Sequence, residues 1–192
     1  MGDAATTKSM SAAEFLAWER EQPTKHEFHR GEVFAMAGGS PRHNLLSASI
    51  GAELRGIMRG TPCLVLSSDQ RISAQQGERY VYADVVVACE GVKLEGGTSD
   101  VLANPTVVVE VLSPRTETYD RGEKWEAYQR LATLTDYLLV SQTSVRIEHY
   151  RRDPDGSWRY RVIEAGGSVL LTNRTTLAAD AIYERAFELD AG

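Results

Sequence analysis

Two runs of valine, Val85-Val86-Val87 and Val107-Val108-Val109, constrain this chain more than any other feature. Neither shows the alternation of apolar and polar residues that marks a half-buried strand. Both therefore predict adjacent strands covered on both faces, as at the centre of a mixed sheet. Each run carries an acid at its edge: Asp84 precedes the first and Glu110 follows the second. A carboxylate at the end of a buried strand is costly to desolvate unless it is paired or metal-bound. In neighbouring strands the two carboxylates converge near one rim, and two oxygen ligands suit Mg2+ or Mn2+. The same placement also fits acids that pair with arginine or cap a helix, so a further element is needed to separate chemistry from structure. Lys124 is that element, because a helix following Glu110 could bring its ammonium back to the same rim, where phosphate chemistry needs positive charge.

The remaining segments read as α and β elements in mixed order. Ser11-Ala-Ala-Glu14 is a capping box with Met10 and Phe15 placed as a hydrophobic staple, which predicts a helix from Ser11 to about Gln22, ended by Pro23. His26–Phe28 and Glu32–Ala37 predict a hairpin around Arg30-Gly31. Ser40-Pro41 opens a long amphipathic helix carrying Leu46, Ile50, Leu54 and Ile57, closed by Gly60. Strands are predicted over Cys63–Leu66, Arg71–Ser73, Tyr80–Cys89, with a turn at Gln76-Gly77-Glu78, and over Thr106–Leu112. Glu90 to Asn104 reads as a surface connection. Asp120 with Glu123 resembles a capping arrangement for a helix through Leu131 with Lys124 and Tyr128 on one face. Asp136–Val140, Val145–Arg151 and Trp158–Glu164 predict strands, the last two flanking the Asp155-Gly156 turn, and Ala178 to Phe187 a closing helix.

At 192 residues, with 42% hydrophobic and 25% charged side chains, the chain is expected to form one soluble domain over residues 11–190 behind a flexible tail at 1–10. No apolar run approaches the roughly 20 residues that span a bilayer, and Met1 to Met10 lacks a secretory signal, so a cytoplasmic location without membrane association is expected. Cys63 and Cys89 lie in apolar runs and are expected as buried hydrophobes rather than a disulfide. Neither Cys-x-x-Cys nor His-Glu-x-x-His spacing occurs, which argues against structural zinc. A net charge of −6 counts against a dedicated nucleic-acid coat but is compatible with an enzyme whose metal site is built from carboxylates.

The order of these motifs resembles the Uma2 group, formerly described as a domain of unknown function, within the PD-(D/E)XK nuclease superfamily. The likeness runs from about Phe15 to Phe187. It rests on His26-Glu27-Phe28-His29-Arg30-Gly31-Glu32, Met36, His43, Tyr82-Ala83-Asp84-Val-Val-Val, Pro105-Thr-Val-Val-Val-Glu110-Val-Leu-Ser113-Pro, Asp120-Arg-Gly-Glu-Lys124, Tyr128 and Asp136-Tyr-Leu-Leu-Val. The resemblance implies an α/β (α+β) fold with a restriction-endonuclease-like core, a mixed central sheet flanked by helices, an N-terminal hairpin and a C-terminal β-hairpin extension. It implies an endonuclease using Mg2+ or Mn2+ to hydrolyse phosphodiester bonds, in DNA ahead of RNA, and a homodimer in which each site cuts one strand. Asp84 and Glu110 map to the metal-binding acids. Ala83 stands where proline is usual and Leu112 where lysine is usual, and Lys124 is the replacement lysine. Glu27 matches an early acid that completes the metal shell, with Glu32 as its alternative, and His43 matches a histidine placed to bind phosphate or to cap the long helix. Asp69, Tyr128 and Arg115 receive no chemical step. The missing lysine at 112 also fits a degenerate member that binds nucleic acid or a protein without cutting.

Overall fold

A computed structural model of the protein describes residues 4–6, 9–36, 38–75 and 77–190. The chain builds two six-stranded sheets that share a core. The N-terminal sheet contains β1 (Ala4–Thr6), β2 (His26–His29), β3 (Glu32–Ala35), β5 (Arg71–Gln75), β6 (Arg79–Tyr82) and β8 (Val101–Leu102), in the order β1-β3-β2-β6-β5-β8. The central sheet contains β4 (Cys63–Ser67), β7 (Val85–Cys89), β9 (Val107–Val111), β10 (Asp136–Val140), β11 (Arg146–Arg152) and β12 (Trp158–Glu164), in the order β12-β11-β10-β9-β7-β4. Pairing is antiparallel except between β9 and β10 and between β5 and β8. A small hairpin, β13 (Ser168–Leu170) with β14 (Thr176–Ala178), closes the C-terminal part. Ala37, Gln76 and residues 1–3 and 7–8 of the expected tail lie outside the described residues; within that tail, Ala4–Thr6 pairs with β3.

The helices cover the sheets as their apolar residues dictate. Helix α1 (Ala12–Glu19) starts at the expected capping box, in which the Glu14 amide donates to Ser11 Oγ and the Ser11 amide to Glu14 Oε2. Its Phe15 and Leu16 pack with Phe28, Val33 and Tyr80 on the outer face of the N-terminal sheet. Helix α2 (Pro41–Ile57) starts at N-cap Ser40 and lays Leu46, Ile50 and Leu54 over Val85, Val87, Val107 and Val109. Val86 and Val108 face the opposite way, toward Ile72, Val81, Tyr128 and Tyr137. Both valine runs are therefore buried on both faces. They are antiparallel neighbours with Val85 opposite Val109 and Val87 opposite Val107.

Several expectations change in detail. The apolar stretch Tyr80–Cys89 is not one strand: β6 ends at Tyr82 in the N-terminal sheet and β7 begins at Val85 in the central one. Apolar periodicity could not show the break because β6 and almost all of β7 are buried on every side. The connection expected from Glu90 to Asn104 contains β8, paired in parallel with β5. The helix expected from Asp120 begins earlier and is irregular: a short α3 (Glu117–Tyr119), a π-helical turn over Asp120–Lys124 and α4 (Trp125–Tyr128). Asp120 therefore lies within the helical segment rather than capping it. The closing helix shrinks to α5 (Ala179–Ile182), preceded by β14. At the β2–β3 turn, Arg30 and Gly31 have φ of 48° and 96°, and a Cβ on Gly31 would meet Ser9 Oγ at 2.6 Å, so glycine is required there.

The cysteine expectation is corrected as well. Cys63 and Cys89 form a disulfide, because the antiparallel register of β4 and β7 sets them directly opposite one another. The cross-link closes a sequence separation of 26 residues. Restricting the unfolded chain over such a loop is worth about 3 kcal/mol. Full reduction, or paired Cys63→Ala and Cys89→Ala substitution, is expected to lower stability by about that amount in urea unfolding, provided thiol titration shows no free cysteine in the starting protein.

Candidate active site

The break between β6 and β7 turns the chain from one sheet into the other at Ala83-Asp84, and the site forms at that corner. Strand β7 starts beside the end of β9, so Asp84 lies next to Glu110 and Val111. Asp84 Oδ2 accepts the Val111 amide at 2.7 Å, and Oδ1 lies 2.8 Å from His43 Nε2. His43 stands in the first turn of α2, where its own amide donates to Ser40 Oγ. Ser40 in turn donates to Gln142, which donates to the Leu112 carbonyl, so the start of α2 is tied to the end of β9. Burial depresses the His43 pKa, but the hydrogen bond and the charge of Asp84 outweigh it, and the imidazole is held above its ordinary value. Its Nδ1 is buried without a hydrogen-bond partner among the described residues.

The second half of the site is an ion cluster around Lys124, which is 4% exposed. Its Nζ lies 3.0 Å from Glu110 Oε1, 3.1 Å from Glu27 Oε1 and 3.7 Å from Asp120 Oδ1, and donates to the Tyr82 carbonyl at 2.8 Å. Glu27 comes from β2, where its Oε1 also accepts the Tyr82 amide at 3.2 Å. Tyr128, one helical turn past Lys124, donates to Glu110 Oε1 at 3.2 Å. Asp120, Lys124 and Tyr128 share one face at four-residue spacing. The π turn beneath the first two is a local departure from α geometry of a kind that recurs at functional sites.

The charges in this cluster do not balance. Burial pushes the Glu110 carboxyl well above its ordinary range; Lys124 opposes the shift, while Asp120 and Asp84 add to it. Asp120 is raised for the same leading reason, burial, against the opposing pull of Lys124. Burial lowers the tendency of Lys124 to hold its proton, yet Glu110, Glu27, Tyr128 and Asp120 more than restore it, and the amine is held well above its ordinary value. One ammonium thus stays charged while burial favours the protonated forms of Glu110 and Asp120. A hard divalent cation fits such an excess of oxygen donors. Among the described residues no three histidine, cysteine or carboxylate side chains form a preformed metal cluster, since the Lys124 ammonium bridges Glu27 and Glu110.

These groups line a cleft of about 1060 Å³ together with His29, the Gly38-Gly39-Ser40 approach to α2, Ser113, Arg115 and Thr116. Of the residues singled out from sequence, Asp84, Glu110, Lys124, Glu27 and His43 come together here, Tyr128 supports Glu110, and Arg115 lines the wall. Glu32 does not line the cleft, and its backbone pairs with His29 at the hairpin turn. Asp69 pairs with Lys25 on the surface. Leu112, where the superfamily carries lysine, is buried in the apolar core. Sequence reasoning missed Asp120, whose four-residue spacing from Lys124 was the available signal, and His29, which shares the strand face of Glu27 by two-residue periodicity.

Comparison with known proteins finds a family model, sequence relatives of similar length and a solved structure of similar fold. The family model named Uma2, described as "Putative restriction endonuclease", matches residues 12–180. Two uncharacterized proteins of Synechocystis are similar: slr1290 is 37% identical over 175 residues, covering 91% of each chain, and sll1609 is 34% identical over 154 residues, covering 80% of this chain and 87% of the relative. A crystal structure from Anabaena variabilis, described as a "putative nuclease belonging to DUF820", superposes with a TM-score of 0.76 at 14% identity over 93% of this chain and 99% of that chain, a likeness of fold.

Glu110 and Asp120 bind protons more tightly in the fold than at their ordinary values of 4.5 and 3.8. The stability that they contribute is therefore complete below those values and is lost as the pH rises through the raised ones. Glu110→Gln keeps the shape of the protonated acid. In chelator it is expected to match wild type in urea unfolding near pH 4 and to be clearly the more stable of the two at pH 8. Equal destabilisation at both pH values would show instead that Lys124 keeps Glu110 ionised throughout.

Proposed function

The chain belongs to the Uma2 family, and from that premise we propose that it is a metal-dependent endonuclease hydrolysing phosphodiester bonds, in DNA ahead of RNA. The observation that carries the reading is the set of four carboxylates, Glu27, Asp84, Glu110 and Asp120, gathered at one cleft against a single buried ammonium. Such a set is poorly suited to bind a phosphate by itself and well suited to hold a cation that does.

In this reading Asp84 and Glu110 hold Mg2+ or Mn2+, and Glu27 completes the protein's share of the shell. When bound, such an ion polarises a phosphoryl oxygen and lowers the pKa of a coordinated water. The chain's own residues do the positioning. His43 and the Val111 amide occupy Asp84 from two sides and fix the direction of its carboxylate. Tyr128 and Lys124 do the same for Glu110. Lys124, anchored by the Tyr82 carbonyl, orients the attacking water or offsets charge developing on the phosphate, a role in which one fixed donor contributes a few kcal/mol. Residues 11–190 act as one domain in the cytoplasm, as a homodimer in which each site cuts one strand. In that compartment the glutathione pool sets the oxidation state of the Cys63–Cys89 pair.

The test is incubation with supercoiled plasmid, single-stranded DNA and RNA in Mg2+, Mn2+ or chelator. Cleavage that chelator abolishes is expected, and Lys124→Ala is expected to lower the rate by about 100-fold or more. Equal rates for wild type and Lys124→Ala would remove the lysine from the reaction. A second measurement needs no turnover: Mn2+ is expected to raise the melting temperature of wild type more at pH 8 than at pH 5, because cation and proton compete for Glu110, and to leave Asp84→Asn and Glu110→Gln unchanged. A Mn2+ effect undiminished in both variants would overturn the metal assignment.

A further inference from the structure

The cleft poses an electrostatic problem for a polyanionic substrate. Glu27, Asp84, Glu110, Asp120 and Glu123 line it, and Lys124, the cation at its centre, is spent on carboxylates and a carbonyl. Another cation placed beside these acids would be drawn into the same kind of pairing. A neutral N–H donor would not, and His29 offers one.

His29 lies two residues beyond Glu27 on β2 and lines the same cleft. Its cross-strand partner on β6 is Arg79, whose side chain is buried. Arg79 Nη2 lies 2.6 Å from His29 Nδ1. A guanidinium has donors and no acceptor, so a hydrogen bond at this contact requires Nδ1 to be the unprotonated acceptor. The proton of the imidazole then resides on Nε2. Among the described residues no group accepts from Nε2, although the ring faces a cleft lined with acids. Arg79 is itself held from behind, since Nη1 donates to the Glu123 carbonyl at 2.5 Å and Nη2 lies 3.4 Å from the Glu123 carboxylate. Arg79 thus joins β2 to the π turn that carries Lys124, and the orientation of His29 is set by the same bond that fixes its tautomer.

We propose that His29 is a substrate-binding residue of this cleft, donating Nε2–H to a non-bridging oxygen of the phosphodiester backbone, with Arg79 as the positioning residue that keeps Nε2 the donor. The ligand class is a phosphodiester. This rests on the nuclease reading for the identity of the substrate but not for the existence of the contact.

The experiment uses the full chain in chelator, so that binding is read without cleavage. Nitrogen NMR of the histidine side chains is expected to show His29 in the single Nε2–H tautomer. Addition of the dinucleoside phosphate TpT is expected to shift the His29 Nε2 signal. Binding of a short fluorescent DNA is expected to weaken by about 10-fold in His29→Ala, the loss of one hydrogen bond to a charged group. His29→Gln, which keeps an N–H donor, is expected to retain most of the affinity. With Mg2+ or Mn2+ present, His29→Ala is expected to raise KM and leave kcat in place. Arg79→Met is expected to release the tautomer, so that both imidazole forms are seen. An unshifted Nε2 signal together with unchanged DNA binding in His29→Ala would overturn the proposal. If His29 responds to TpT while wild type cuts no nucleic acid with either metal, the contact stands and the nuclease reading falls.

Discussion

Lys124 is the point at which the separate parts of the molecule meet. Its ammonium touches Glu27 from the N-terminal sheet, Glu110 from the central sheet, Asp120 from its own helical segment and the carbonyl of Tyr82 at the last residue of β6. An apolar side chain there would leave three carboxylates buried without a counter-charge, and apolar replacements at all four positions would satisfy packing as well or better. Stability alone therefore does not account for the cluster. A costly arrangement kept at the junction of two sheets, lining a cleft, is what a chemical site looks like when the fold is subordinate to it.

The corner at Ala83-Asp84 follows from the same constraint. Had β6 and β7 formed one continuous strand, Asp84 would sit mid-ladder and its carboxylate would point into the valine core or away from it. By leaving one sheet at Tyr82 and entering the other at Val85, the chain frees Asp84 to accept the Val111 amide and to meet His43 at the start of α2. The valine runs then make the corner rigid. Their side chains face two different apolar clusters, so sliding β7 by one residue would exchange the two sets and bury each against the wrong partner.

Much of this was legible in the sequence because burial leaves a compositional trace. The double-sided valine runs announced central strands, and the acids at their ends announced a cluster of charge at the sheet rim, since a carboxylate is expensive in such a place. The capping box at Ser11 and the Ser40-Pro41 helix start were equally direct, because each is specified by neighbours within four residues. What escaped depended on three-dimensional register or on departures from ideal periodicity. The split of Tyr80–Cys89 is marked only by Ala83-Asp84, and a single acid inside an apolar stretch reads equally as a strand-end site within one strand. The Cys63–Cys89 bond depends on the pairing of β4 with β7, and no local pattern encodes it. Asp120 next to Glu123 imitates a cap, while its role follows from a π turn that propensity does not predict.

The charge pattern of the cleft also selects among its donors. With four carboxyl groups set against a single ammonium, the metal-free site disfavours a phosphodiester, and burial of Glu110 and Asp120, which favours their protonated forms, lessens that repulsion. A divalent cation would displace those protons and lessen that repulsion, so a bound cation would strengthen the hold on a substrate that the neutral donors also contact. Neutral donors are the groups that can be present in both states without being captured by the acids in the first or repelling the cation in the second. His29, with Nδ1 closed off by Arg79, meets that requirement; His43, held above its ordinary pKa by Asp84, does not, and belongs to the acid side of the cleft.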